Sequence, residues 1–122
     1  MQFNWFTIVS ATLGAFVTCA QAAHLTNPTI GEATDVIWTV RPTDNATTDL
    51  LITLGKTDNP FSAPQFWIIP DARTGQLSTV LESDLTPGSD YILRVFERRP
   101  DIFDWVREFS DVFELKAPAT SA

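Results

Sequence analysis

Eight prolines set the grain of this chain. Pro28, Pro42, Pro60, Pro64, Pro70, Pro87, Pro100 and Pro118 all fall between or at the ends of short runs in which apolar and polar residues alternate. Proline has no backbone N–H to give to a ladder, so sheets accept it at strand ends and in turns but not in their middle. No long stretch repeats its apolar residues every three or four positions, as a surface helix would. Strands are therefore expected near 24–27, 34–41, 49–55, 65–69, 76–82, 90–97 and 109–116, about seven in all. The turns between them are "NPTIG", "RPTDNATTD", "KTDNPFSAP", "DARTG" and "LTPGSD".

A period of two assigns the faces. Val36, Trp38 and Val40 share one side of their run, opposite Asp35 and Thr39, and Trp38 is assigned to the core. Leu50, Ile52 and Leu54 form an inner face, as do Tyr91, Leu93 and Val95, which leaves Ile92, Arg94 and Phe96 pointing out. Phe113 and Leu115 point in and Glu114 out. Short strands of this kind, without intervening helices, predict an all-β fold. The expected form is an antiparallel sandwich of the immunoglobulin or fibronectin-III-like kind. The single tyrosine fits that expectation. In such sandwiches a tyrosine near the start of the sixth strand returns its hydroxyl to the main chain just upstream and pins the arch between the sheets. Here Leu85 would anchor the arch, Pro87-Gly88 turn it and Tyr91 close it, a structural role rather than a catalytic one.

Residues 1–22 carry no charged side chain, and an apolar run from Phe6 to Val17 leads to Ala20-Gln21-Ala22. Small residues at those two alanine positions are what a signal peptidase reads, and the run is too short and too rich in Thr and Ser to span a bilayer firmly. A secretory leader over 1–22 is expected, then a domain over 23–116 and a short flexible tail over 117–122. The lone cysteine, Cys19, lies in the leader, so the domain must be held by packing alone. A net charge of −7 argues against a nucleic-acid or anionic-lipid partner, and no later segment is long and apolar enough to cross a membrane.

With these residues placed, the chain resembles the immunoglobulin-like N-terminal domain of fungal cell-wall synthesis proteins of the Kre/Knh type. That domain recurs in Ser/Thr-rich, GPI-anchored surface proteins. The resemblance rests on "LTNPTIG", "VIWTV", "LLITLGK", "DLTPGSDYILRVF" and "EFSDVFEL", in that order. The chain departs from the family in its short first loop, "EATD", and in having only "APATSA" where a long Ser/Thr-rich region usually follows. The resemblance implies a secreted, non-catalytic module of the fungal wall or surface. Its partner would be cell-wall β-glucan, and its role a contribution to wall organisation. It supplies no binding or catalytic residues to carry over. The alternative is a small secreted protein-binding domain, an adhesion or host-interaction factor with an extracellular protein as partner.

Catalytic kits are sparse. His24 lies beside the expected cleavage site, where a terminal histidine could hold copper in an oxidative polysaccharide enzyme. That chemistry needs a second imidazole, and the chain has one histidine. Neither a thiol nucleophile nor a G-x-S-x-G stretch is present in the domain. Acidic pairs such as Glu82/Asp84 and Asp101/Asp104 are what any acidic domain shows, and a glycosidase needs two carboxylates about 5–10 Å apart in a deep cleft, for which a sandwich of about 100 residues rarely has room. No cofactor, metal or catalytic residue is expected. Asn45-Ala46-Thr47 is a glycosylation sequon in a polar loop. Loops at the ends of a sandwich commonly carry binding, and two expected loops hold aromatic residues: "NPFSAPQFW" (59–67) and "RRPDIFDWVREF" (98–109). Phe66, Trp67, Phe103 and Trp105 are the ligand-binding candidates, since flat rings stack on sugar faces or anchor protein partners.

Overall fold

The computed structural model describes residues 22–98 and 103–118, apart from the side chains of residues 103 and 104. Most of the expected leader and the end of the tail lie outside these residues. Eight strands are described: β1 (His24–Leu25), β2 (Ala33–Ile37), β3 (Leu50–Lys56), β4 (Gln65–Ile69), β5 (Gln76–Val80), β6 (Gly88–Arg98), β7 (Phe103–Phe109) and β8 (Phe113–Leu115). A 3-10 turn over Ala72–Thr74 separates β4 from β5. One antiparallel sheet has the order β1-β2-β5 and the other β4-β3-β6-β7. β8 pairs with the first part of β6, on the side away from β3, because Tyr91 faces Lys56 across one edge and Phe113 across the other. With β4 beside β3 rather than beside β5, this is the fibronectin-III-like form of the immunoglobulin-like sandwich.

The core lies between the sheets. Val36 and Leu25 from the smaller sheet meet Leu50, Ile52, Leu54, Trp67, Ile69, Leu93, Val95 and Leu115 from the larger one. Trp38 joins them just beyond β2, with its indole N–H donating to the Ala72 carbonyl (2.9 Å). The segment after β1 changes sheets: Thr29 bridges Lys116 in parallel, and Ile30 N–H donates to the Lys116 carbonyl (2.9 Å). At the arch before β6, the Tyr91 hydroxyl donates to the Thr86 carbonyl (2.5 Å), Leu85 is buried, and Pro87 is exposed. Lys56 covers the ring from 5.2 Å while pairing with Asp90 at 3.1 Å.

Three expectations about strands are corrected. The 98–109 stretch is not a connecting loop: β7 occupies 103–109, and only 99–102, outside the described residues, separate it from β6. Two register shifts in the β6–β7 ladder interrupt the alternation of "FDWVREF", and its charges made it look like a loop. The expected strand at 109–116 is likewise broken. At the break, Ser110 substitutes for a ladder residue: its hydroxyl accepts from Leu93 N–H (2.8 Å) and its N–H donates to the Leu93 carbonyl (2.9 Å). Val40, expected on the side of Val36 and Trp38, lies beyond the end of β2 and is exposed.

Candidate binding face

The larger sheet turns an apolar surface outward. Cross-strand register sets the rows. Ile68 lies opposite Leu51, Leu51 opposite Phe96, and Phe96 opposite Val106. Beside them, Phe66 faces Thr53, Thr53 faces Arg94, and Arg94 faces Phe109. Both rows run edge to edge over three strand spacings, roughly 14 Å. Phe66, Ile68 and Phe109 are each more than half exposed, while Leu51, Phe96 and Val106 are partly covered. Singly exposed apolar residues are ordinary, whereas aligned rows of them on one sheet face make this face the candidate site.

The polar members of these rows offer little to solvent. Arg94 is on the outer side, as its place in the alternation predicts, yet it is only 6% exposed. The β3–β4 loop folds back over this region. A Cβ on Gly55 would lie only 2.1 Å from the Ser62 carbonyl oxygen and 3.4 Å from Arg94 Nη1, so glycine is what lets the loop approach. Arg94 Nη2 donates to the Lys56 carbonyl (3.0 Å), and Nη1 has no hydrogen-bond partner among the described residues. Thr53 is also buried.

The sequence candidates separate in this frame. Phe66 belongs to the outer face. Trp67, expected in an end loop, is on β4 and points inward at 8% exposure, its indole N–H donating to Thr79 Oγ1 (3.1 Å). Trp105 is on β7 opposite Glu97 and is about half exposed. Phe103 begins β7 opposite Arg98, and its side chain lies outside the described residues. The two pairs thus occupy opposite edges of the sheet, with β3 and β6 between them, and do not form one end-loop platform. Sequence reasoning overlooked Ile68, Phe109 and Leu51; Val106 was noticed only as an apolar residue of the supposed 98–109 loop. The available signal was that "QFWII" and "YILRVF" are apolar at both parities, the pattern of a strand covered on both faces.

Charge gathers at one edge of the same sheet. Arg107 sits at the shifted position of β7 and grips Asp44 with both guanidinium nitrogens at 2.7 Å, the two side chains being 1% and 2% exposed. Nη1 also reaches Glu97 (3.3 Å), and Nη2 donates to the Thr39 carbonyl (3.0 Å). Hydrogen bonding to Arg107 holds the Asp44 carboxyl below its usual range and raises the Arg107 guanidinium in turn. This pair fixes the β2–β3 loop that presents Asn45. Asn45 is exposed, and its Oδ1 accepts from Thr47 N–H (2.8 Å) and the Thr47 hydroxyl (2.6 Å). His24 is paired with Ile37, and its Nδ1–H donates to the Ala22 carbonyl (2.9 Å). Among the described residues no three His, Cys, Asp or Glu side chains converge on a metal position, and no helix is long and apolar enough to cross a membrane.

Compared with known proteins, the chain matches no family model, no curated protein and no solved structure.

Proposed function

We propose that this chain is a secreted, non-catalytic binding module of the fungal wall or cell surface, and that it works by docking the outer face of its larger sheet on a partner. The observation that carries the reading is the outer face formed by two rows, Ile68–Leu51–Phe96–Val106, which is apolar throughout, and Phe66–Thr53–Arg94–Phe109, whose exposed members at its two ends are aromatic. The wall setting rests on the Kre/Knh-type motifs in the sequence, and the partner proposed there is β-glucan, whose sugar faces stack on aromatic rings.

Sedimentation with insoluble β-1,3/1,6-glucan and with chitin tests the reading. Wild type should pellet with the glucan, and the Phe66→Thr/Phe109→Thr double variant should stay in the supernatant. Trp105→Ala, at the rim, should be less impaired in binding than the double variant. Wild type remaining in the supernatant on every glycan would remove the glucan mechanism.

One observation favours the second reading, a protein partner. The rows offer Phe, Ile, Leu and Val, and their only polar members, Thr53 and Arg94, are buried. A sugar presents many hydroxyls that require hydrogen-bonding groups, whereas the apolar centre of a protein interface does not. Retention of wild type, but not of the double variant, by an extracellular protein from the same wall would decide for this reading.

A further inference from the structure

Glu108 occupies an unusual place for a carboxylate. It lies opposite Val95, a fully buried core residue, and so is on the inward parity of β7 at the flank of the sandwich. Charge turned toward a core is costly unless it is paired. Three donors meet it: Thr39 N–H at 3.2 Å, the Thr39 hydroxyl at 2.8 Å and the backbone nitrogen of Ala23 at 2.8 Å. All three are neutral while Ala23 remains inside a longer chain. Ala23 itself is only 1% exposed.

We propose that the Ala22–Ala23 bond is the processing site and that the α-ammonium released there closes an ion pair with Glu108 that the precursor cannot make. Two independent observations meet on one nitrogen. The small residues Ala20 and Ala22 direct a signal-peptidase-class protease to cut after Ala22, and the geometry seats the nitrogen of the next residue on a carboxylate. A cut one residue earlier or later would put the new charge on Ala22 or His24 instead. Hydrolysis adds one water across the amide. The oxygen stays with the Ala22 carboxylate, and the Ala23 nitrogen leaves as an amine that is protonated at neutral pH. Its first N–H keeps the Glu108 contact as a charge-assisted bond, about twice as strong as the neutral one. Ala22 lines a surface hollow of about 280 Å³ with Ala23, His24, Asp111 and Phe113, so its departure widens the hollow at the new terminus and admits water to the other two N–H bonds. The same cut removes the Ala22 carbonyl from His24 Nδ1. The resulting clasp ties the start of β1, in one sheet, to β7, at the edge of the other. The inference rests on residues 1–22 being a leader and is independent of the binding face.

Secretion of the whole precursor from a yeast host tests it, using wild type, a variant with one glycine inserted between Ala22 and Ala23, and each of these with Glu108→Gln. Intact mass should place the wild-type terminus at Ala23. The inserted glycine moves the charge off Ala23, and in urea it should raise the unfolding equilibrium constant about tenfold or more. Glu108→Gln should raise that constant strongly with the native terminus and far less with the insertion. A secreted terminus other than Ala23, or an insertion variant within about threefold of wild type, would overturn the proposal. If the Glu108→Gln proteins are not secreted folded, the comparison of the two Glu108 proteins alone decides.

Discussion

The two sheets enclose one core but present opposite outer faces. On the smaller sheet the outward positions are His24, Ala33, Asp35, Ile37, Gln76, Ser78 and Val80. They form a polar net in which the Ser78 hydroxyl donates to Asp35 Oδ1 (2.8 Å) and Asp35 N–H donates to the Thr26 hydroxyl (2.9 Å). Its two larger apolar members, Ile37 and Val80, are in different rows. On the larger sheet the apolar residues line up and the polar ones are covered. Since the smaller sheet folds with a polar outer side, the sandwich itself does not require an apolar one. The rows on the larger sheet are thus not a requirement of the fold, and substitutions can separate what holds that sheet together from what it displays.

The largest effect is expected from the charged edge. Arg107→Ala leaves Asp44 buried without its partner and should cost about 3–5 kcal/mol, measured as a drop in the urea midpoint. The pH dependence should change as well. Asp44 has its folded pKa lowered by Arg107, so its contribution is complete above the ordinary carboxylate range and is lost as pH falls through the depressed folded value. Wild type should thus weaken on acidification. In Arg107→Ala the largest lowering contact is gone, while burial, which favours the protonated acid, and the weaker Arg41 contacts remain, so the variant should lose less stability than wild type over the same acid range. Equal acid limbs for the two proteins would mean that the pair does not hold the β2–β3 loop.

Gly55→Ala comes next. The added methyl meets backbone, the Ser62 carbonyl, rather than a side chain that could swing away. The β3–β4 loop must then lift, at about 1–3 kcal/mol. Because that loop shelters Arg94, lifting it would also expose a charge in the middle of an apolar row, and partner binding should fall with stability. Unchanged amide shifts across residues 57–64 in an NMR spectrum would show that the loop is not held by this approach.

Tyr91→Phe should cost less, about 1 kcal/mol, because it removes one hydroxyl and leaves the Thr86 carbonyl near solvent at the arch. Its effect should be on thermal stability alone, with binding retained, since the ring faces the core.

That tyrosine also illustrates what the sequence made legible. One phenol after a Pro-Gly turn announced both the arch and the strand behind it, because the corner needs a specific residue at a specific offset. Inner faces were readable for the same reason: Leu50, Ile52 and Leu54 follow the pleat without interruption and are all fully buried. β7 was hidden because its ladder with β6 is interrupted twice, and a register shift changes which residues share a face. Burial of Arg94 was hidden because it depends on a loop more than thirty positions earlier in the chain. The candidate face was half legible. Ile92 and Phe96 were assigned outward from alternation, but a row across four strands exists only once register is known, and register is not written in any single strand.

The smallest effect on stability is expected where the comparison is most exposed. Phe66 and Phe109 already leave more than half of their surface in water, so little is lost when they are replaced. Threonine is β-branched and suits a half-covered strand position. The Phe66→Thr/Phe109→Thr variant should therefore lie within about 1 kcal/mol of wild type in urea unfolding. Its outer face would then approach the chemistry of the smaller sheet, and partner binding should be lost although the fold remains. A loss of several kcal/mol instead would mean that these rings support the sheet they lie on. The contrast between the two outer faces would then reflect packing, and the face would carry no binding role.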